Sequence, residues 1–121
     1  MSFLTRIISN GDSTMMIQQY DIFLVNLDPT QGSKIKKTRP CIIVSPIVLN
    51  KHLRTVQIAP MTSNLNFYPW RAKINFQKKN GMVALDQLRT VDKTRLIKKL
   101  GKASPTVRES IKEIIQEMLV A

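Results

Sequence analysis

Ile22-Phe23-Leu24-Val25 and Cys41-Ile42-Ile43-Val44 are two short apolar runs, and residues 28–40 between them read Asp-Pro-Thr-Gln-Gly-Ser-Lys-Ile-Lys-Lys-Thr-Arg-Pro. Short runs of β-branched and aromatic residues bounded by turn formers predict strands. Asp28-Pro29 opens the turn, and Gly32 supplies a residue able to take positive φ. Lys34, Lys36, Lys37 and Arg39 then follow with no acid after Asp28. Arg39 falls where the second strand begins, and Pro40 fixes the backbone beside it. Cations on a loop held at both ends by strands make a candidate phosphate cradle. The alternative is a solvated basic loop.

Outward from this loop, the pattern is short strands and turns. Tyr20–Leu27 and Arg39–Ser45 are strands, the second nearly all apolar and therefore central. Pro46–Leu53 predicts a short helical turn whose apolar contacts come from Ile47, Val48 and Leu49. Arg54–Met61 alternates, with Val56, Ile58 and Pro60 on one face, and Pro60 places it at a sheet edge or at its own end. Trp70–Phe76 alternates as well, and Lys79-Asn80-Gly81 is the turn that joins it to Met82–Leu85 as a hairpin. Asp92 caps a short helix through Leu100, closed by Gly101. Ser104 and Pro105 start a final helix, on which Val107, Ile111, Ile114, Ile115, Met118 and Leu119 share a face. Residues 1–16 have no clean period and read as a loose tail; residues 17–121 form one domain. The fold class is α+β: a small, strongly bent, mostly antiparallel barrel with short helices and a closing amphipathic helix.

The charge balance narrows the partners. The chain of 121 residues carries 19 Lys plus Arg against 8 Asp plus Glu, a net charge of +11. A compact domain this basic points to nucleic acid or an anionic membrane face. No apolar stretch approaches a membrane span, and the cations are spread along the chain, so no membrane partner is expected. Cys41 is the lone cysteine; within an apolar run it reads as a small buried hydrophobe in a reducing cytoplasm. Met1–Thr14 lacks the basic start and apolar core of a signal peptide.

Several motifs then appear in a fixed order: Tyr20 to Pro29, Gly32-Ser33, Arg39 to Pro46, Ala59-Pro60-Met61-Thr62-Ser63 and Leu85 to Asp92. Together they resemble the MazF/PemK/Kid toxins of type II toxin–antitoxin pairs, from about residue 19 to the end. The resemblance implies a CcdB-like, SH3-like barrel, a homodimer and an acidic antitoxin. It also implies a metal-independent, sequence-specific endoribonuclease that acts on single-stranded RNA. By the same resemblance Arg39, Thr62 and Asp86 match catalytic positions. Ser63 and Gln87 join Lys34, Lys36 and Lys37 as candidate RNA-binding residues.

The residue inventory agrees with that chemistry. One Cys and one His cannot build a zinc or other transition-metal cluster, and Asp28, Asp86 and Asp92 form no evident magnesium motif. We therefore expect no metal and no cofactor. His52 alone also rules out a two-histidine acid/base mechanism and reads as a surface residue. A metal-free route uses the substrate's own 2′-hydroxyl on the adjacent phosphate, leaving a 2′,3′-cyclic phosphate and a 5′-hydroxyl. A fixed guanidinium and a hydroxyl suit the oxyanion-rich intermediate. DNA lacks the nucleophile, so it can bind without being cut. Thr62 also has a local alternative as a turn residue, and Asp86 as a structural carboxylate pairing with Arg89 or capping backbone groups.

Two positions depart from the family. Lys34 stands where an acid commonly follows the Gly-Ser of the loop, and Ala84 stands where some members carry arginine. If that acid is a base or orients Arg39, Lys34 lowers the rate. A binding-only relic and a CcdB-like poison of a protein target such as gyrase are the alternatives to the nuclease.

Overall fold

The computed structural model describes residues 16–28 and 37–120. The strands are β1 (Asp21–Asn26), β2 (Thr38–Ile43), β3 (Thr55–Thr62), β4 (Arg71–Phe76), β5 (Lys79–Ala84), β6 (Arg89–Asp92) and β7 (Leu96–Lys102). They form one curled sheet in the order β4-β5-β3-β2-β1-β7, with β6 also paired to β3. Every pairing is antiparallel. The helices are α1 (Ile47–His52) and α2 (Pro105–Ile115). This is the expected bent antiparallel sheet with short helices, curled into a half-barrel.

The apolar runs of β1 and β2 have no polar alternation because both faces of the sheet are covered. Ile22, Ile42, Ala59 and Val83 pack with Ala72 and Ile74 beneath Val107 and Ile111 of α2. Phe23, Val25, Cys41, Ile43, Val56 and Ile58 pack with Val91 and Leu96 on the other face. Each fully buried Ile or Val contributes about 1.5–3 kcal/mol, so a core on each face holds the central strands.

A buried polar knot anchors the chain entry. Asn50 of α1 donates through Nδ2 to the carbonyls of Ile17 and Ser45, both at 2.9 Å. Ser45 Oγ donates to Asn50 Oδ1 at 2.5 Å and accepts from Gln57 N at 3.0 Å. The helical turn expected at residues 46–53 therefore exists. Its fully buried residue is Asn50, while Ile47, Val48 and Leu49 are only half-buried.

Three local expectations are corrected. The β4–β5 turn is Gln77-Lys78, not Lys79-Asn80-Gly81. Both turn residues have positive φ, 52° and 63°, as a two-residue hairpin of the tightest kind requires. Lys79 pairs with Phe76 and Asn80 with Asn75 inside the ladder. Asp92 caps only a single 3₁₀ turn, Lys93–Arg95, by accepting from Thr94 N at 2.9 Å. That donated N–H holds the Asp92 carboxyl below its usual range. The segment beyond it is strand β7, and Arg89–Asp92 is a strand of its own. Finally, of the two places Pro60 allowed for β3, the edge is excluded: β3 is central, with β2 on one side and β6 then β5 on the other, and Pro60 lies two residues from its end.

The closing helix starts as expected. Ser104 Oγ accepts from Val107 N at 3.3 Å, and Pro105 occupies the first turn. Its apolar face is buried at Val107 and Ile111 but exposed at Met118 and Leu119, in a π-helical final turn over Gln116–Val120. Among the described residues no helix is long and apolar enough to cross a membrane. The tail expected over residues 1–16 lies outside the described residues, save Met16.

Candidate functional site

Two prolines open the sheet at one place. The carbonyls of Ile43 and Lys37 accept from Tyr20 N at 2.7 Å and Leu27 N at 2.8 Å, so odd-numbered residues of β2 turn their backbone groups toward β1. Even-numbered ones face β3, where Val44 N donates to Gln57 O at 2.9 Å. Pro40 thus aims its donor-less nitrogen at β3, and the β2–β3 ladder begins only at Cys41↔Pro60. On β3, Pro60 faces the opposite edge, in the gap between the Ile58↔Arg89 and Met61↔Val83 pairs. Each proline sits where a ladder bond is absent, and β2 and β3 part beyond Cys41.

Continuing the Cys41↔Pro60 register by two residues sets Arg39 opposite Thr62. Strand side chains alternate, so both fall on the face of Cys41 and Ile58. Arg39, Thr62 and Ser63 line one groove of about 370 Å³. The end of the β4–β5 hairpin closes it with Gln77, Lys79, Asn80 and Gly81. None of the described lining residues is acidic, so Arg39 and Lys79 give it a positive field. The same row continues across the sheet, because Thr62 pairs with Met82 and Met82 with Lys73.

Thr62 is held from two sides. Its Oγ1 accepts from Asn64 N at 3.2 Å, the local turn bond foreseen as the alternative role. Accepting there leaves the hydroxyl proton available for a further acceptor. From the other side, the backbone of Gly81 approaches so closely that a Cβ there would lie 2.9 Å from the Thr62 carbonyl oxygen.

Arg39 emerges beside a buried thiol. Cys41 Sγ donates to the Arg39 carbonyl at 3.4 Å. Burial pushes the Cys41 thiol up to about 12, with the charges of Arg39 and Arg89 working against it. Cys41 therefore stays neutral and packs as a hydrophobe, as its setting in the sequence implied.

The other residues singled out lie elsewhere. Asp86, on the 3₁₀ turn Leu85–Gln87, accepts from Arg71 Nε at 3.2 Å and Nη2 at 3.4 Å. Arg71 also lies 5.1 Å from the centre of the Tyr68 ring, which stacks on Trp70 at 5.2 Å. Asp86 is thus a bidentate partner of Arg71, not of Arg89, and is not among the groove's lining residues. Gln87 is exposed on the same turn, and Lys37 is exposed at the start of β2. Lys34 and Lys36 lie outside the described residues. Among the described residues no three of His, Cys, Asp and Glu gather where they could hold a metal ion.

The sequence reading missed Lys79, Asn80 and Gly81 as site residues because Asn-Gly is the strongest short turn signal, and it drew the turn three residues too late. It also missed Arg71 as the partner of Asp86. Only the pairing of Arg71 with Ala84 brings those two together.

The chain is similar to known proteins over nearly its whole length. The family described as PemK-like, MazF-like toxin of type II toxin–antitoxin system matches residues 18–119. Among solved structures, MazF from Deinococcus radiodurans shares 22% identity with a TM-score of 0.74, over 88% of this chain and 99% of that one. The Mycobacterium tuberculosis toxin MazF-mt6 shares 22% identity with a TM-score of 0.69, over 80% of this chain and 93% of that one. An endoribonuclease from a mycobacterial species, solved in complex with its cognate antitoxin, shares 20% identity with a TM-score of 0.74 over 86% and 95%. At these identities the solved structures speak for the fold, while the family match spans the strands, the groove and the closing helix. The chain belongs to the PemK-like, MazF-like toxins of type II toxin–antitoxin systems.

Proposed function

We propose that this toxin is an endoribonuclease that cuts single-stranded RNA without a metal, with Arg39 and Thr62 at the scissile phosphate. The observation that carries this reading is the register that sets Arg39 opposite Thr62 on two parted strands, in a groove whose described lining includes Arg39 and Lys79 and no carboxylate. The substrate's 2′-hydroxyl attacks the adjacent phosphorus, the 5′-oxygen leaves, and a 2′,3′-cyclic phosphate remains. Arg39 stabilises the charge that develops on the phosphoryl oxygens, and the Thr62 hydroxyl donates to one of them. Ser63 and Lys79 hold the flanking backbone. Asp86 serves by fixing Arg71 and is not the base.

A second reading is favoured by one observation: no described groove residue is a carboxylate able to take the 2′-hydroxyl proton. With Lys34 in place of the family's loop acid, the chain then binds RNA and turns it over slowly. The partners follow from charge and surface. Net +11 suits an acidic antitoxin segment that folds onto the groove and excludes RNA. Exposed Leu53, Ile97, Met118 and Leu119 give a second copy apolar surface to cover.

The test is an RNA carrying a single 2′-deoxynucleotide at a mapped cleavage site, incubated in chelator. The proposal expects cutting to cease at that site and continue elsewhere. Cutting at the deoxy position, or cutting that disappears in chelator, would overturn it. Light scattering that reports a monomer at micromolar concentration contradicts the dimer.

A further inference from the structure

We propose that the hollow on the β4–β5 hairpin beside Thr62 is a nucleobase subsite, with Leu65 and Met82 against the base and the Asn75–Asn80 amide pair reading its edge. This rests on the reading of the Arg39–Thr62 groove as an RNA site. The hollow measures about 460 Å³, and its lining includes Leu65, Lys73, Asn75, Asn80, Gly81 and Met82. Asn80 and Gly81 also line the Arg39–Thr62 groove, so the two are continuous. The registers Lys73↔Met82 and Asn75↔Asn80, with Thr62↔Met82, place Lys73, Asn75, Asn80 and Met82 on the face that carries Thr62. Strands stand about 4.8 Å apart, so the hollow lies one to two strand widths from the Thr62 hydroxyl. That is where the nucleotide beside a phosphate held by Thr62 must go.

The chemistry of the hollow matches a base better than it matches backbone. Met82 is buried and Leu65 is more than half exposed, which gives an apolar floor and a movable apolar wall. An unstacked base has apolar faces and a polar edge, and single-strand recognition uses both. The edge is met by an amide pair already set in place: Asn75 Nδ2 donates to Asn80 Oδ1 at 2.8 Å. That bond leaves Asn80 Nδ2 as a donor and Asn75 Oδ1 as an acceptor on one exposed cross-strand pair. A donor beside an acceptor is complementary to the Watson–Crick or Hoogsteen edge of a base. Lys73 adds a cationic donor at the rim, on the side away from the turn.

The experiment is selection of a random 2′-O-methyl RNA pool, which has no free 2′-hydroxyl to react, on the full chain, followed by sequencing of the bound fraction. Wild type is compared with Asn75→Ala and Asn80→Asp. Asn80→Asp retains the acceptor for Asn75 but replaces the donor with an acceptor. The subsite reading expects base bias at one position to fall roughly tenfold in Asn75→Ala, while the other positions hold. Asn80→Asp then moves that same position toward bases offering an amino group, adenine, cytosine or guanine, and away from uracil. Unchanged preferences at every position in both variants would overturn the subsite. Wild-type retention of RNA with no base bias would also overturn it, leaving the groove reading intact. A wild type that retains no RNA sinks the groove reading and the subsite with it. Both asparagines are exposed on the hairpin; should Asn80→Asp not fold, Asn75→Ala carries the decision.

Discussion

Arg39 and Thr62 stand opposite each other by continuation of the β2–β3 register, just beyond the point where Pro40 ends the ladder between those strands. Strand ends fix the backbone from which the guanidinium and the hydroxyl project, and preorganised donors are what stabilising a developing charge requires. Arg39→Ala is expected to lower RNA cleavage by about 10²–10³-fold, read as a single-turnover rate, while Thr62→Ser retains most of it and Thr62→Val does not. Gly81→Ala is expected to slow cleavage as well, since its Cβ would press on the Thr62 carbonyl; melting then shows whether the fold survives. Cys41 supplies a pH prediction. Its thiol is held neutral, raised from an ordinary 9.0 to about 12 by burial. A raised acid contributes stability that is complete below its unfolded value and is lost as pH climbs through the folded one. The fall in melting temperature from pH 9 toward pH 12 is therefore expected to be shallower in Cys41→Ala than in wild type. Equal slopes contradict the account of the buried thiol. Arg39 and Thr62 were legible in the sequence through motifs in order. The contact of Gly81 was not, because it depends on how β5 meets β3, far apart in the chain.

At the scale of elements, the strands with unambiguous apolar content were legible and those carried by mixed sequence were not. Asp21–Asn26 and Thr38–Ile43 announce themselves because both faces are buried. Leu96–Lys102 reads as Leu-Ile-Lys-Lys-Leu-Gly-Lys, which has helix-forming residues and a glycine at its end, and it is a strand only because β1 pairs with it. Tertiary pairing overrides a weak propensity there. The β4–β5 turn is a similar case: Gln77 and Lys78 hold positive φ without the Asn or Gly that favours it. Gln77→Asn with Lys78→Gly is therefore expected to raise stability by roughly 1 kcal/mol, read from chemical denaturation, with the groove kept. Loss of stability in that pair would mean the native turn residues make contacts worth more than the strain. Ser104→Ala tests the opposite end, where loss of the cap should cost about 1 kcal/mol.

At the scale of the whole molecule, charge and groove belong together. A net charge of +11 gives a field that attracts a polyanion before any contact forms. Each phosphate contacted on a single strand should add about 0.7 to the log–log salt slope of binding. A titration showing little loss of affinity between low and moderate salt would speak against a phosphate-binding groove. Lys34→Glu brings the central claim to one measurement, since it exchanges the one reversed charge in the loop for a proton acceptor. The measurement is cleavage of a long unstructured RNA in chelator by wild type, Lys34→Glu and Arg39→Ala, with the product ends identified. The account predicts 2′,3′-cyclic phosphate and 5′-hydroxyl ends, slow cutting by wild type, faster cutting by Lys34→Glu and cutting about 10²–10³-fold below wild type by Arg39→Ala. Products ending in a free 3′-hydroxyl, or an Arg39→Ala protein that cuts as well as wild type, would contradict it.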